Sequence, residues 1–340
     1  MQITNKIAVT GLGVVCSLAN TIDDFWNAIL DNSCGIKQWN DLKDLDFKYA
    51  HASRVENLNC DPLHRGFYLA KSAINQAIAQ AESKTLKNCG LFLGTTIGES
   101  AAFESIASGN TKLKSEDFTG LGITKRLQKE FPNISTSTCF ATACAAGNYA
   151  LKAGMEALQN KTVSIAIVGG VDPFSKIAMT GFSRNRAMSP SGICKPFDVE
   201  RDGMVLGEGS GFLILEKVEN AVSRKANILA ILADCTLSCD AYHPTAPKPD
   251  ASGIIDCFQH ILKSNALTPD AIDWISAHGT GTKLSDASEA KAIHKVFSNK
   301  KPYVSSIKSK IGHTLGAATA IEAIVSVLSL QLFRLVSFRL

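Results

Sequence analysis

The chain has 340 residues, 45% hydrophobic and 19% charged, with a formal net charge of +4. That is globular composition, long enough for one large domain or two fused ones, and a charge this mild without basic runs or interleaved aromatics gives no nucleic-acid footprint. No membrane span is expected, because even the apolar stretch 317–333 is interrupted by Thr319, Glu322, Ser326, Ser329 and Gln331 and suits a buried helix. In chain order, Met1 to Lys6 runs directly into a strand at 7–10 rather than into a secretory leader. The ten cysteines are therefore expected to be reduced and the compartment cytoplasmic. Gly11-Leu12-Gly13 follows, but Cys16 stands where the third glycine of a dinucleotide fingerprint belongs. Apolar periodicity predicts helices near 22–31 and 62–82, a strand at 89–94 and an exposed loop at 107–118. The β-branched run 133–140 reads as extended and 144–158 as a helix. Further strands are predicted at 164–169, 211–216, 228–233 and 274–277, and helices near 251–264, 284–297 and 314–333, with many turn residues in 185–209. This alternation is an α/β pattern.

Cys144 falls at the turn between the extended run and the helix, within Ala141-Thr-Ala-Cys-Ala-Ala-Gly147. Unpaired amides and the helix dipole at such a start stabilise a thiolate, and small neighbours leave room for an acyl group. The other nine cysteines lack that context and read as packing residues or incidental thiols. The pairs Cys139/Cys144 and Cys235/Cys239 lack the spacing of a structural zinc site. A reactive thiol needs a partner that handles protons, and two of the seven histidines sit in small-residue turns. His278 lies in Ala277-His-Gly-Thr-Gly-Thr282, after a predicted strand, and His313 in Gly312-His-Thr-Leu-Gly316, opening a predicted helix. His51, His64, His260 and His294 fit ordinary structural roles.

With these motifs the chain resembles the elongating β-ketoacyl-[acyl-carrier-protein] synthases of the thiolase superfamily. The likeness runs through Val9-Thr-Gly-Leu-Gly13, Thr142-Ala-Cys-Ala-Ala-Gly147, Val168-Gly-Gly170, Lys195-Pro-Phe-Asp198, Arg201-Asp-Gly203, Gly207-Glu-Gly209, Asp240-Ala-Tyr-His243 and the two histidine motifs. It implies a layered αβαβα thiolase-like fold of two similar halves, 1–226 with the nucleophile and 227–340 with the histidines. It also implies that Cys144 takes an acyl group from a carrier protein, and that His278 and His313 stabilise the enolate formed when malonyl-carrier loses carbon dioxide. The new carbanion then attacks the acyl-Cys144, lengthening the chain by two carbons. Lys308 matches the family's site lysine with Glu289 as its ion-pair partner. Thr245, Thr280 and Thr282 match threonines that hydrogen-bond the phosphopantetheine arm of the acyl carrier protein, and Asp286 matches a scaffold position. No metal or organic cofactor is implied, and a homodimer, or a heterodimer with a related subunit, is.

The two histidines separate this pattern from the Cys-His-Asn of chain-initiating synthases and the Cys-His-Cys of thiolases. The mildly basic balance suits an acidic carrier protein, with Arg65 and Lys71 as contact candidates, although an ordinary solvated helix face explains them better. The resemblance further implies two closing strands and a Gly/Phe-rich loop after the last helix, and 333–340 reads as the start of a segment that does not finish. A catalytically impaired partner subunit that binds carrier protein, and a thiolase-like enzyme acting on acyl-coenzyme A, are therefore the alternatives to an active synthase.

Overall fold

The computed structural model describes residues 6–44, 49–82, 88–109, 112–243, 245–298 and 302–332. Its strands are β1 (Ile7–Cys16), β2 (Ile36–Gln38), β3 (His51–Ser53), β4 (Cys89–Gly94), β5 (Ile134–Phe140), β6 (Ile165–Asp172), β7 (Leu206–Gly207), β8 (Gly209–Lys217), β9 (Ala230–Leu232), β10 (Trp274–Ser276) and β11 (Tyr303–Ser305). Six of them form one sheet in the order β5-β4-β6-β8-β1-β9. β4 runs parallel to β5 and β6, whereas β8 is antiparallel to both β6 and β1, with Ile7 opposite Lys217 and Cys16 opposite Gly209. The central strands are apolar at nearly every position because both faces are covered. Alternate residues therefore enter different cores. Ile165 and Ile167 of β6 meet the helices Arg65–Gln80 and Gly120–Glu130, while Ala166 and Val168 meet Ala146–Gln159 and Ala318–Gln331.

Beyond those two helices lies the parallel pair β10–β11, whose Trp274, with Ile307 and Ile311 just after β11, joins the same core. The helices Ser252–Ser264 and Lys283–Val296 form the outer layer, packed together through Ile255, Phe258, Ala292 and Val296. Helix, sheet, helix, sheet, helix is the layering expected of a thiolase-like fold. The strand following residue 226, β9, joins the first sheet by pairing antiparallel with β1. The segment 333–340 lies outside the described residues. Among the described residues no helix is long and apolar enough to cross a membrane.

Two local outcomes differ from the sequence reading. β1 continues through Gly11 and Gly13 to Cys16, because these glycines let the helix Arg65–Gln80 lie directly on the strand. A Cβ on Gly13 would stand 1.8 Å from the carbonyl oxygen of Ala73. The expected loop 107–118 ends in a short helix, Ser115–Phe118, and the helices Ser100–Ala107 and Gly120–Glu130 flank it.

One backbone device occurs twice. Thr142-Ala143-Cys144-Ala145-Ala146 and Thr314-Leu315-Gly316-Ala317-Ala318 each make a 3-10 turn that opens a 14-residue helix. The second residue is left-handed in both, Ala143 at φ 51° and Leu315 at φ 52°. Cys144 and Gly316 hold matching places in these elbows.

Candidate active site

Cys144 sits where β5 gives way to the helix Ala146–Gln159, so the elbow fixes the direction of its side chain. A left-handed alanine costs of order 1 kcal/mol or more and persists only where its surroundings demand it. Its demand here is packing against the second elbow: a Cβ on Gly147 would lie 3.0 Å from the Gly316 carbonyl oxygen, and one on Gly170 2.2 Å from it. Only residues without a Cβ allow the two elbows to approach so closely. That approach delivers His313, whose Nε2 lies 2.9 Å from Cys144 Sγ. His313 is buried, and its backbone is pinned on both sides, its N–H donating to Val205 O (2.7 Å) and its carbonyl accepting from Gly207 N (2.9 Å).

His278 follows β10 and meets His313 edge to face, with ring centroids 5.3 Å apart. Glu289 holds its loop by accepting from the N–H groups of His278 (2.7 Å) and Gly279 (2.8 Å). Lys308 is buried and donates to the His278 carbonyl oxygen at 2.7 Å. Its ion-pair partner is Glu322, on the helix Ala318–Gln331, rather than the expected Glu289. Glu289 is spent on backbone amides instead. The sequence did carry a signal for Glu322, since one carboxylate in an otherwise apolar buried helix requires a partner.

Burial pushes the Cys144 thiol up to about 11, with the Lys308 ammonium pulling the other way and Asp172 adding to the rise. The expectation of a resting thiolate is thus overturned: desolvation outweighs the helix start and the lysine. Burial also holds the His313 imidazole well below its usual range, helped by Lys308 and His278. His278 is lowered for the same two leading reasons, burial of the ring and Lys308, although the residue as a whole is exposed. Both rings are therefore neutral near pH 7. A protonated thiol donates to Nε2, which places the remaining ring proton of His313 on Nδ1, a buried atom with no partner among the described residues.

The threonines are placed unequally. Thr280 and Thr282 share a hydroxyl–hydroxyl bond of 2.9 Å in the turn after His278. Thr245 stands exposed in a separate loop, its N–H on His243 Nδ1 at 3.1 Å. Asp286 is buried and accepts from the amides of Phe197 (2.7 Å), Thr280 (3.0 Å) and Gly281 (3.2 Å), as a scaffold residue does. Arg65 is not a free surface cation, since it donates to both oxygens of buried Glu208 and to Val55 O at 2.6 Å. Lys71 is paired with Glu130 at 2.7 Å.

The comparisons with known proteins point to one family. The model of the β-ketoacyl synthase N-terminal domain matches residues 4–61 and 40–221, and that of the C-terminal domain residues 229–336. The chain is 32% identical to 3-oxoacyl-[acyl-carrier-protein] synthase 2 of Synechocystis sp., over 96% of this chain and 85% of that protein. It is 31% identical to the protein of the same name from Coxiella burnetii, over 96% and 86%. Among solved structures, the AntDE:AntF complex, a type II polyketide ketosynthase with its acyl-carrier protein, superposes with a TM-score of 0.87 at 29% identity, covering 96% of this chain and 86% of that one. The ishigamide ketosynthase/chain length factor does so with 0.85 at 30% identity and the same coverage. The chain belongs to the β-ketoacyl synthase family.

Proposed function

We propose that this protein is a β-ketoacyl-[acyl-carrier-protein] synthase that extends a fatty-acid or polyketide chain by two carbons, working in the cytoplasm with its ten thiols reduced. The observation that carries the reading is the 2.9 Å contact between Cys144 Sγ and a neutral His313, with a second neutral imidazole beside it. As Sγ attacks the acyl thioester, its proton passes to His313 Nε2 and then to the departing carrier thiol, so no free thiolate need persist. The malonyl-carrier enters next. With Sγ acylated, Nε2 no longer receives a thiol proton and His313 takes the Nε2–H tautomer, so N–H groups of His278 and His313 stabilise the enolate left by carbon dioxide; its carbon attacks the acyl-Cys144 carbonyl, expelling Sγ, which takes up a proton from solvent. Lys308 and Glu322 keep the His278 loop in place, and Glu289 supports it from behind.

The hydroxyls of Thr280, Thr282 and Thr245 suit the neutral amides of the phosphopantetheine arm. Exposed Arg184 and Arg186 suit an acidic carrier better than Arg65 or Lys71 does. The protein works as two units, 1–226 and 227–340, and as a dimer with a copy or a related subunit. β5 supports the dimer: it lies at the sheet edge with Ser135, Thr136 and Thr138 exposed, and such an edge requires a partner or protection.

The test is to incubate the protein with acyl-carrier and look for acyl-Cys144 by mass spectrometry, then add malonyl-carrier and follow carbon dioxide and the β-ketoacyl product. Both steps are expected. The second reading is a carrier-binding partner subunit, which the exposed position of residue 278 suits, because water that reaches a carbanion quenches it. Acylation without condensation would support that reading, and condensation of free coenzyme A esters alone would point to a thiolase-like enzyme.

A further inference from the structure

Asp172 ends β6, fully buried, and takes no part in the chemistry described above. Its Oδ1 accepts from the Thr95 hydroxyl (2.7 Å) and the amides of Thr96 (3.0 Å) and Ile97 (3.0 Å), and its Oδ2 from the amides of Thr96 (2.8 Å) and Gly316 (2.6 Å). These donors belong to two segments that flank the reacting pair. The Thr95 amide donates to the carbonyl of Phe140 at 3.0 Å, where β5 ends and the nucleophile elbow begins. Gly316 lies three residues beyond His313, at the place in the second elbow that Cys144 holds in the first. One carboxylate therefore ties the approach to Cys144 to the exit from His313.

We propose that Asp172 is a positioning residue for the Cys144–His313 pair, a strap whose bonds to Thr95, Thr96, Ile97 and Gly316 keep Nε2 within reach of Sγ. Only its rate readout rests on the reading of function given above. An asparagine at this place is nearly isosteric but keeps a single acceptor oxygen. With that oxygen toward Thr95 and Ile97, its NH₂ meets the Gly316 N–H donor to donor, and the strap opens on the His313 side. The substitution also removes the negative charge that raises the Cys144 thiol.

The experiment compares full-length wild type and Asp172→Asn, with folding checked by circular dichroism. Single-turnover acylation of Cys144 from acyl-carrier is expected to fall about 10- to 100-fold, the scale of a misplacement of about 1 Å, with KM nearly unchanged. The pH midpoint for alkylation of Cys144 by iodoacetamide, a reaction that needs no carrier, should move down. In a His313→Ala background the same substitution should no longer slow acylation, because no imidazole remains to be placed. A folded Asp172→Asn protein with the wild-type acylation rate overturns the proposal, whatever its midpoint. If wild type is not acylated at all, the functional reading fails, and a crystal structure of Asp172→Asn in which His313 Nε2 stays within hydrogen-bond distance of Sγ then overturns the strap by itself. If Asp172→Asn does not fold, Gly316→Ala replaces it, since the new Cβ would lie 2.8 Å from Asp172 Oδ2 and 2.9 Å from Thr95 Cα. An unchanged rate in that variant overturns the proposal equally.

Discussion

Neutralising Glu322 tests the assignment of the buried lysine's partner. The Lys308 side chain is 1% exposed and that of Glu322 14%, so Glu322→Gln strands an ammonium where water cannot reach it. Removing one member of a buried pair costs about 3–5 kcal/mol. Lys308 keeps the His278 carbonyl at 2.7 Å and the glutamine oxygen can still accept, which places the cost near the lower end, about 3 kcal/mol. With an unfolding entropy of about 2.1 cal/mol/K per residue, 340 residues convert that to a fall in Tm of about 4 °C. Glu289→Gln is the control, because it disturbs two backbone amides and no ion pair, and about 1–2 kcal/mol is expected. Urea and thermal unfolding of both variants, with a double-mutant cycle through Lys308→Met, provide the assay. A Lys308–Glu322 coupling energy near zero, or a larger cost for Glu289→Gln than for Glu322→Gln, would refute the reasoning.

Other perturbations separate the remaining forces. Because the Cys144 thiol is held up to about 11, its alkylation by iodoacetamide should rise about tenfold per pH unit between about pH 7 and 9; a plateau near neutrality contradicts this. The folded value lies above the usual thiol value of about 8.5, so the thiol's contribution to stability is fully present below that pH and lost as pH rises toward about 11, which unfolding measured against pH should show. Gly170→Ala would set a Cβ 2.2 Å from the Gly316 carbonyl oxygen, a backbone atom that cannot rotate away, and a loss of about 3 kcal/mol in unfolding is expected, with slower acylation. Arg65→Ala leaves Glu208, 0% exposed, without its cation and should cost about 3 kcal/mol in the same assay, while the salt dependence of carrier binding stays unchanged.

The sequence revealed what is local and concealed what is tertiary. The helices 22–31, 251–264 and 284–297 were legible to within about a residue at each end, because each carries its own apolar period. Cys144, His278 and His313 could be singled out because turns of small residues announce themselves. The choice of Glu322 over Glu289 for Lys308 was not legible, since both carboxylates are plausible in sequence and only the packing of the Ala318–Gln331 helix decides between them. The high thiol value was hidden for the same reason: a helix start is a local signal, whereas desolvation depends on everything packed around the sulfur. Arg65 looked like a surface cation because its partner Glu208 lies 143 residues away.

The repeated elbow explains why one site, not two, results from two similar turns. Each turn directs an amide at the head of a 14-residue helix, where the helix dipole favours negative charge. In the second elbow that charge is already supplied, by Asp172 on the Gly316 amide, which makes the turn a fixed support for His313. No carboxylate among the described residues takes the matching amide of Cys144. The first elbow is thus the one left able to receive an oxyanion from outside, and it carries the sulfur beside which that oxyanion would form. A side chain at residue 316 would collide with Asp172 and with the Thr95 backbone, so the close packing that seats the second elbow beside Cys144 requires glycine there.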